Sequence, residues 1–174
     1  MWISDKWTDY ALLDCSGGEK LERWGEQILV RPDPQAIWHT PKTDKRWNTY
    51  AGRYHRSESG GGSWEKGKLP QSWQIGYGEL RFHVKPMNFK HTGVFPEQAA
   101  NWDFIREKIA SAGRPVRVLN LFAYSGGATL AAAAGGAVFH PHRNVGYCLL
   151  CRGIYDFAMY PNLPIAILRL QGSG

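Results

Sequence analysis

The chain of 174 residues has the length of one domain, or one small domain and part of another, and is too short for a large multidomain enzyme. With 43% hydrophobic and 21% charged residues it falls in the globular range, which excludes a highly charged, disordered chain. Lys and Arg number 21 against 15 Asp and Glu, a net charge of +6 that fits a polyanionic partner through phosphate contacts without requiring one.

From the amino terminus, Tyr10 to Cys15, Lys20 to Trp24 and Gln27 to Arg31 are short segments separated by Ser16-Gly17-Gly18 and Gly25-Glu26. That is hairpin spacing and predicts a β meander. Pro32, Pro34 and Pro41 stop the pattern, and residues 42–63 are expected to form a polar loop with a mobile end at Ser57 to Ser63. Its bases, Lys42, Lys45, Arg46, Arg53 and Arg56, read as a solvated loop in preference to a nucleic-acid patch. Trp73 to Tyr77 and Leu80 to Val84 alternate apolar with polar residues across Gly78-Glu79, a second hairpin. The heavy aromatic load, 13%, suits either a β-rich core or base stacking, and in these hairpins it reads as core.

At Pro96 the period changes. Pro96-Glu97 opens a helix, with Ala99, Trp102, Ile105, Ile109 and Ala112 at helical spacing before Gly113 and Pro115 end it. Val116 to Phe122 is too short and too β-rich for a helix and predicts a buried strand. Ala123-Tyr124-Ser125-Gly126-Gly127 then makes a tight turn into an alanine-rich helix over about 128–134. Helix, buried strand, glycine turn, helix is the opening of a doubly wound α/β domain. Such a turn reverses the backbone sharply and lets a ligand approach closely. The amides of the next helix then suit a carboxylate or phosphate. The three-glycine dinucleotide pattern is absent, as is a Gly-x-Ser-x-Gly elbow, which disfavours an oxidoreductase or hydrolase.

Three cysteines imply no disulfide framework, and no window approaches the roughly 20 apolar residues of a membrane span, so the expected location is the cytoplasm. Cys148 and Cys151, with His140 and His142 nearby, have the spacing of part of a zinc site. The intervening Leu-Leu favours ordinary cysteines, and no metal is expected.

His91-Thr92-Gly93-Val94-Phe95-Pro96-Glu97-Gln98, followed after the helix by Val118-Leu119-Asn120-Leu121-Phe122-Ala123-Tyr124-Ser125-Gly126-Gly127-Ala128, resembles the bacterial class I S-adenosylmethionine-dependent methyltransferases related to the large-subunit ribosomal RNA methyltransferases. Gly18 to Trp24 and Arg31 to Trp38 resemble the β-rich amino-terminal region of that group, so the likeness runs from about residue 9 to about residue 137. The resemblance implies an α+β chain: a β-rich amino-terminal domain over 1–90, the start of a Rossmann-like S-adenosylmethionine-binding domain over 91–137, and an unassigned tail over 138–174. It implies S-adenosylmethionine as cofactor and RNA, ribosomal RNA in particular, as partner. The cofactor pocket would have Asn120, Phe122, Tyr124 and Ser125 in its floor, its methionine end against Gly126 and Gly127, and Phe95 and Gln98 at its border.

The sequence also departs from that group. The second strand should end in an acidic residue that holds both ribose hydroxyls, yet the chain reads Ala137-Val138-Phe139-His140-Pro141-His142-Arg143-Asn144, and the next acid is Asp156. Only 174 − 115, or 59, residues follow Pro115. A truncated chain whose end is out of frame or wrongly joined is therefore expected, weighed against a genuine divergent ending. No catalytic residue carries over, and weak or absent cofactor binding with no methyl transfer is the expectation. A non-catalytic RNA-binding fragment is the alternative.

Overall fold

The computed structural model describes residues 2–58, 60–65, 67–87, 89–118, 120, 124–137 and 166–167. Within them the chain is α+β, with two sheets and two α-helices. It separates into two compact units, one of Trp7–Gly76 and Val84–Gly93, the other of Met1–Lys6, Tyr77–His83 and Val94–Gly174.

The first unit is built on a five-stranded sheet in which β1 (Tyr10–Ser16), β2 (Glu19–Trp24) and β3 (Gln27–Pro32) form the expected antiparallel meander. The register of β1 on β2 slips between Leu12 and Asp14, which leaves Leu12 exposed on the edge strand. Leu21, Val30 and Trp47 form the buried cluster on one face, with Leu13, Ile28 and Tyr50 packed against it.

The stretch expected to be one polar loop, 42–63, is not one. A 3-10 turn, Lys45–Asn48, opens on Asp44, whose side chain accepts from the Arg46 amide, and it buries Trp47. The Trp47 indole donates to Asp14 Oδ2 at 2.7 Å. Strands β4 (Gly52–Arg56) and β5 (Gly62–Glu65) follow as an antiparallel pair, and β4 lies parallel to β3. The pattern hides these strands because Gly52 and Tyr54 are the buried positions of β4 and glycine carries no apolar side chain. Parallel pairing also depends on a partner brought back by the long connection across 33–51, which local alternation does not encode.

Lys42, Arg46 and Arg53 of this stretch face carboxylates. Glu19 receives both Lys42 Nζ and Arg53 Nη2 at 2.6 Å, and Asp44 pairs with Arg46. The hairpin tip is closed by Ser57, whose hydroxyl donates to the Gly60 carbonyl at 2.6 Å.

The second sheet has β6 (Trp73–Tyr77), β7 (Leu80–Val84) and β8 (Ala166–Ile167) in that order, with β8 antiparallel to β7. The second unit holds α1 (Ala99–Ala110), entered through a 3-10 turn at Pro96–Gln98, and α2 (Gly127–Ala134). Helix α2 stands within a residue of its predicted bounds, while α1 begins three residues after the predicted start at Pro96, which the 3-10 turn occupies, and ends two before Ala112. Ala99, Trp102 and Ile109 are the buried positions of α1. The Trp102 ring lies 5.0 Å from Phe82 and 5.8 Å from Tyr77, the Tyr77 hydroxyl donates to Asp103 at 2.7 Å, and Lys6 pairs with the same carboxylate. Burial, and then that carboxylate, push the Tyr77 phenol above its ordinary pKa.

Helix α2 meets α1 through small residues one turn apart. A Cβ on Gly127 would lie 2.8 Å from the Trp102 ring, Ala131 is fully buried, and a Cβ on Gly135 would lie 3.1 Å from the Arg106 Cα. The contacts advance in the same sense along both helices. Gly127→Ala is therefore expected to destabilise the fold. The overpacking against a ring held by Phe82 and Tyr77 costs about 1–3 kcal/mol, more than the roughly 0.4–1 kcal/mol that a glycine replacement returns through the unfolded chain. Urea unfolding followed by tryptophan fluorescence measures it, and an unchanged midpoint would show that Trp102 yields freely.

Candidate functional site

The glycine turn is the best-formed feature outside the core. Its predicted strand, Val116 to Phe122, lies partly outside the described residues, which omit Leu119 and 121–123. Arg117 makes a single bridge, and Val116, Val118 and Asn120 stand outside any strand.

Asn120 donates through Nδ2 to the Thr129 hydroxyl at 3.0 Å, which ties the entry of the turn to the first turn of α2. Tyr124 is half exposed and carries the one positive φ, +48°, found outside glycine among the described residues. Such a conformation is strained for an aromatic residue and needs support from its surroundings. Phe95 supplies it, with the two rings stacked at 4.8 Å and 30°. Ser125 is buried behind the turn.

The two glycines do different work. Gly126 sits at the N-cap of α2 in the left-handed region, φ +89°, and a Cβ built on it meets no described atom within 4 Å. Gly126 is itself buried, and as the cap residue it offers no side chain to the first-turn amides. Gly127, in contrast, is needed for the close approach to Trp102. A glycine turn at the positive end of a helix, bordered by a stacked aromatic pair, suits a ligand with a carboxylate and a flat or apolar body.

Of the residues expected at a site, Phe95, Tyr124, Gly126 and Gly127 flank this turn, with Ser125 buried beside it and Asn120 bound to Thr129. Gln98 stands apart at the exposed entry of α1, where its Oε1 accepts from Asn101 Nδ2 at 2.9 Å and its amide donates to the Phe95 carbonyl. Phe122 lies outside the described residues, as do His140, His142, Asn144, Cys148, Cys151 and Asp156. Among the described residues no cluster of three or more His, Cys, Asp or Glu side chains could hold a metal ion, and no helix is long and apolar enough to cross a membrane.

Sequence reasoning missed two contributors. Thr129 anchors Asn120 yet reads as an ordinary helix residue, and Trp102 reads as core although it also sets the approach of α2. The Gly127-x-x-x-Ala131-x-x-x-Gly135 spacing was the available signal.

Comparison with known proteins gives a consistent result. The profile of the S-adenosylmethionine-dependent methyltransferases matches residues 21–159. A ribosomal RNA large subunit methyltransferase K/L from Magnetococcus marinus is 42% identical over 59 residues, 34% of this chain and 8% of that protein. Among solved structures, an S-adenosylmethionine-dependent methyltransferase from Agrobacterium tumefaciens superposes with a TM-score of 0.73 at 32% identity, covering 93% of this chain and 52% of that one. A putative methyltransferase complexed with S-adenosylhomocysteine gives 0.51 at 19% identity, covering 95% and 47%, a likeness of fold. The chain thus spans about half the length of these solved structures and a small part of the curated relative.

Proposed function

Because the chain belongs to the S-adenosylmethionine-dependent methyltransferase family, we propose that it carries the cofactor-binding start of an RNA methyltransferase, with ribosomal RNA as the substrate class. The segment from α1 through the turn to α2 is then the opening of the Rossmann-like domain. The observation that carries this reading is the turn itself: Gly126 in the left-handed region at the start of α2, with no side-chain cap on the first-turn amides.

The residues present fit the methionine end of the cofactor. The amides that open α2 would receive its carboxylate, and the Phe95–Tyr124 stack would border its apolar chain. When bound, S-adenosylmethionine supplies an activated methyl group on a sulfonium. The chain's own residues contribute position and exclusion of water, the main requirements of an in-line displacement. The RNA assignment is supported by the Magnetococcus relative and by the net charge of +6.

Residues 138–155 contain no acid to clamp the ribose hydroxyls. Loss of such a charged hydrogen-bonding partner costs about 1.5–3 kcal/mol, roughly ten- to a hundredfold in affinity. Binding of S-adenosylhomocysteine is therefore expected to be weak but measurable, by saturation-transfer NMR at millimolar ligand. No signal at that concentration would remove the turn as a cofactor site.

A further inference from the structure

The sheet of the first unit carries a group of positive charges gathered at the end of β2 and β3, where the acids are fewer than the bases. Lys20 on β2 stands directly opposite Arg31 on β3, a like-charge cross-strand pair that costs stability unless it is compensated. Glu22 holds Arg31 closely and Lys20 only loosely. It is fully buried and grips Arg31 through Nε at 2.6 Å and Nη2 at 2.8 Å, while Lys20 stays 3.5 Å from Glu22 and 3.8 Å from Asp33.

A further base is added by the segment 89–91. Arg31 Nη1 donates to the Lys90 carbonyl at 2.8 Å, and Lys90 Nζ reaches the Pro32 carbonyl at 3.1 Å, which fixes its ammonium at the end of β3. Trp64 on β5 donates to the Met87 and Phe89 carbonyls and holds the same segment from the other side. Burial, then Lys20, Arg31 and Arg56, with Asp33 opposing them, hold the Lys90 ammonium below its ordinary pKa. His91 is lowered by burial and by Arg31, Lys90 and Lys20. Phe89, next in the chain, is 60% exposed.

We propose that Lys20, Arg56 and Lys90, with Phe89 beside them, form a docking surface for single-stranded RNA on the β-rich unit. Cations that face one another gain most from a chain of phosphates, and an exposed ring adjoining them offers a base a stacking face, the pairing by which single strands are held. A lipid surface or an acidic peptide would use the charges and leave the ring without a partner base. This surface rests on the reading of RNA as substrate, and it is tested separately from the cofactor.

The test is fluorescence anisotropy of the full chain with a short labelled single-stranded RNA, titrated between about 50 and 200 mM salt. Arg56→Glu/Lys90→Glu is expected to weaken binding more than tenfold and to lower the salt slope by about 1.4, two phosphate contacts at roughly 0.7 each. Phe89→Ala is expected to weaken it about five- to a hundredfold with the slope unchanged. Lys45→Glu/Arg114→Glu, with the same net charge, is expected to retain wild-type affinity, and circular dichroism checks that each variant is folded. An equal loss in that control pair, no binding by the wild type, or equal competition by polyglutamate or phosphatidylserine vesicles would overturn the proposal. Normal RNA behaviour without S-adenosylhomocysteine binding would overturn the cofactor reading and leave this surface standing.

Discussion

Glu22→Ala is expected to lower the stability of the β-rich unit by about 3–5 kcal/mol, the cost of breaking a buried ion pair from one side. The carboxylate is fully buried and Arg31 is 5% exposed, so neither end is relieved by water. The substitution removes the charge that neutralises the guanidinium, together with the acceptor of the Tyr10 hydroxyl at 2.9 Å. Against a typical total of 5–15 kcal/mol this is a large fraction. Glu22→Leu/Arg31→Met is expected to recover most of the loss, because an apolar pair of similar volume has no charge to desolvate. Urea unfolding of the single and double variants measures both, and a single-variant loss below about 1 kcal/mol would mean that the pair is hydrated.

The same pair fixes a pH dependence. Burial alone would raise the Glu22 pKa, but Arg31, Lys20 and the Tyr10 hydroxyl outweigh it and hold the carboxyl below its ordinary 4.5. A folded pKa below the unfolded one contributes stability that is complete above about 4.5 and is lost as the pH falls through the folded value. Acid unfolding of the wild type should therefore be steeper below pH 4.5 than that of the double variant.

Gly126→Val is expected to weaken S-adenosylhomocysteine binding by more than tenfold, at least about 1.4 kcal/mol. The substitution acts in two ways that a control separates. A β-branched residue at φ +89° is strained by on the order of 1–3 kcal/mol, and its side chain occupies the space beside the first-turn amides of α2. Gly113→Val has a similar strain, φ +62° with nothing within 4 Å, but stands just after α1 and away from the turn. It should lose comparable stability and keep the ligand. Saturation-transfer NMR on both variants decides the matter: if Gly126→Val binds as the wild type does, the turn is not the cofactor site.

What the sequence made legible follows the range of the forces involved. Hairpins at Ser16–Gly18, Gly25 and Gly78, and both helices, are set by turn chemistry and periodicity within a few residues, and they stand where these patterns predict. Strands β4 and β5 are not legible because Gly52 fills one of the two buried positions of β4, and the Gly60–Gly62 run reads as a flexible linker. At the site, the need for glycine at the turn is a backbone property visible in the sequence. Which glycine serves the left-handed turn and which serves packing is not, since Trp102 makes that distinction from another helix. Phe95 and Tyr124 are each site candidates in the sequence, but their stacking needs a tertiary contact across the intervening α1. The bases of 42–56 gave a composition, and only Glu19 and Asp44 in space revealed most of it as paired.

The seam of Gly127, Ala131 and Gly135 sets the kind of change that α2 can absorb over evolutionary time. Side-chain replacements on its outer face leave the seam intact. One residue inserted or deleted between Gly127 and Gly135 turns everything beyond it by about 100°, so the second glycine leaves Arg106 and a bulkier neighbour arrives there. The few half-buried positions of the helix, Ala128, Ala133 and Ala134, are thus free to vary while its length is held fixed.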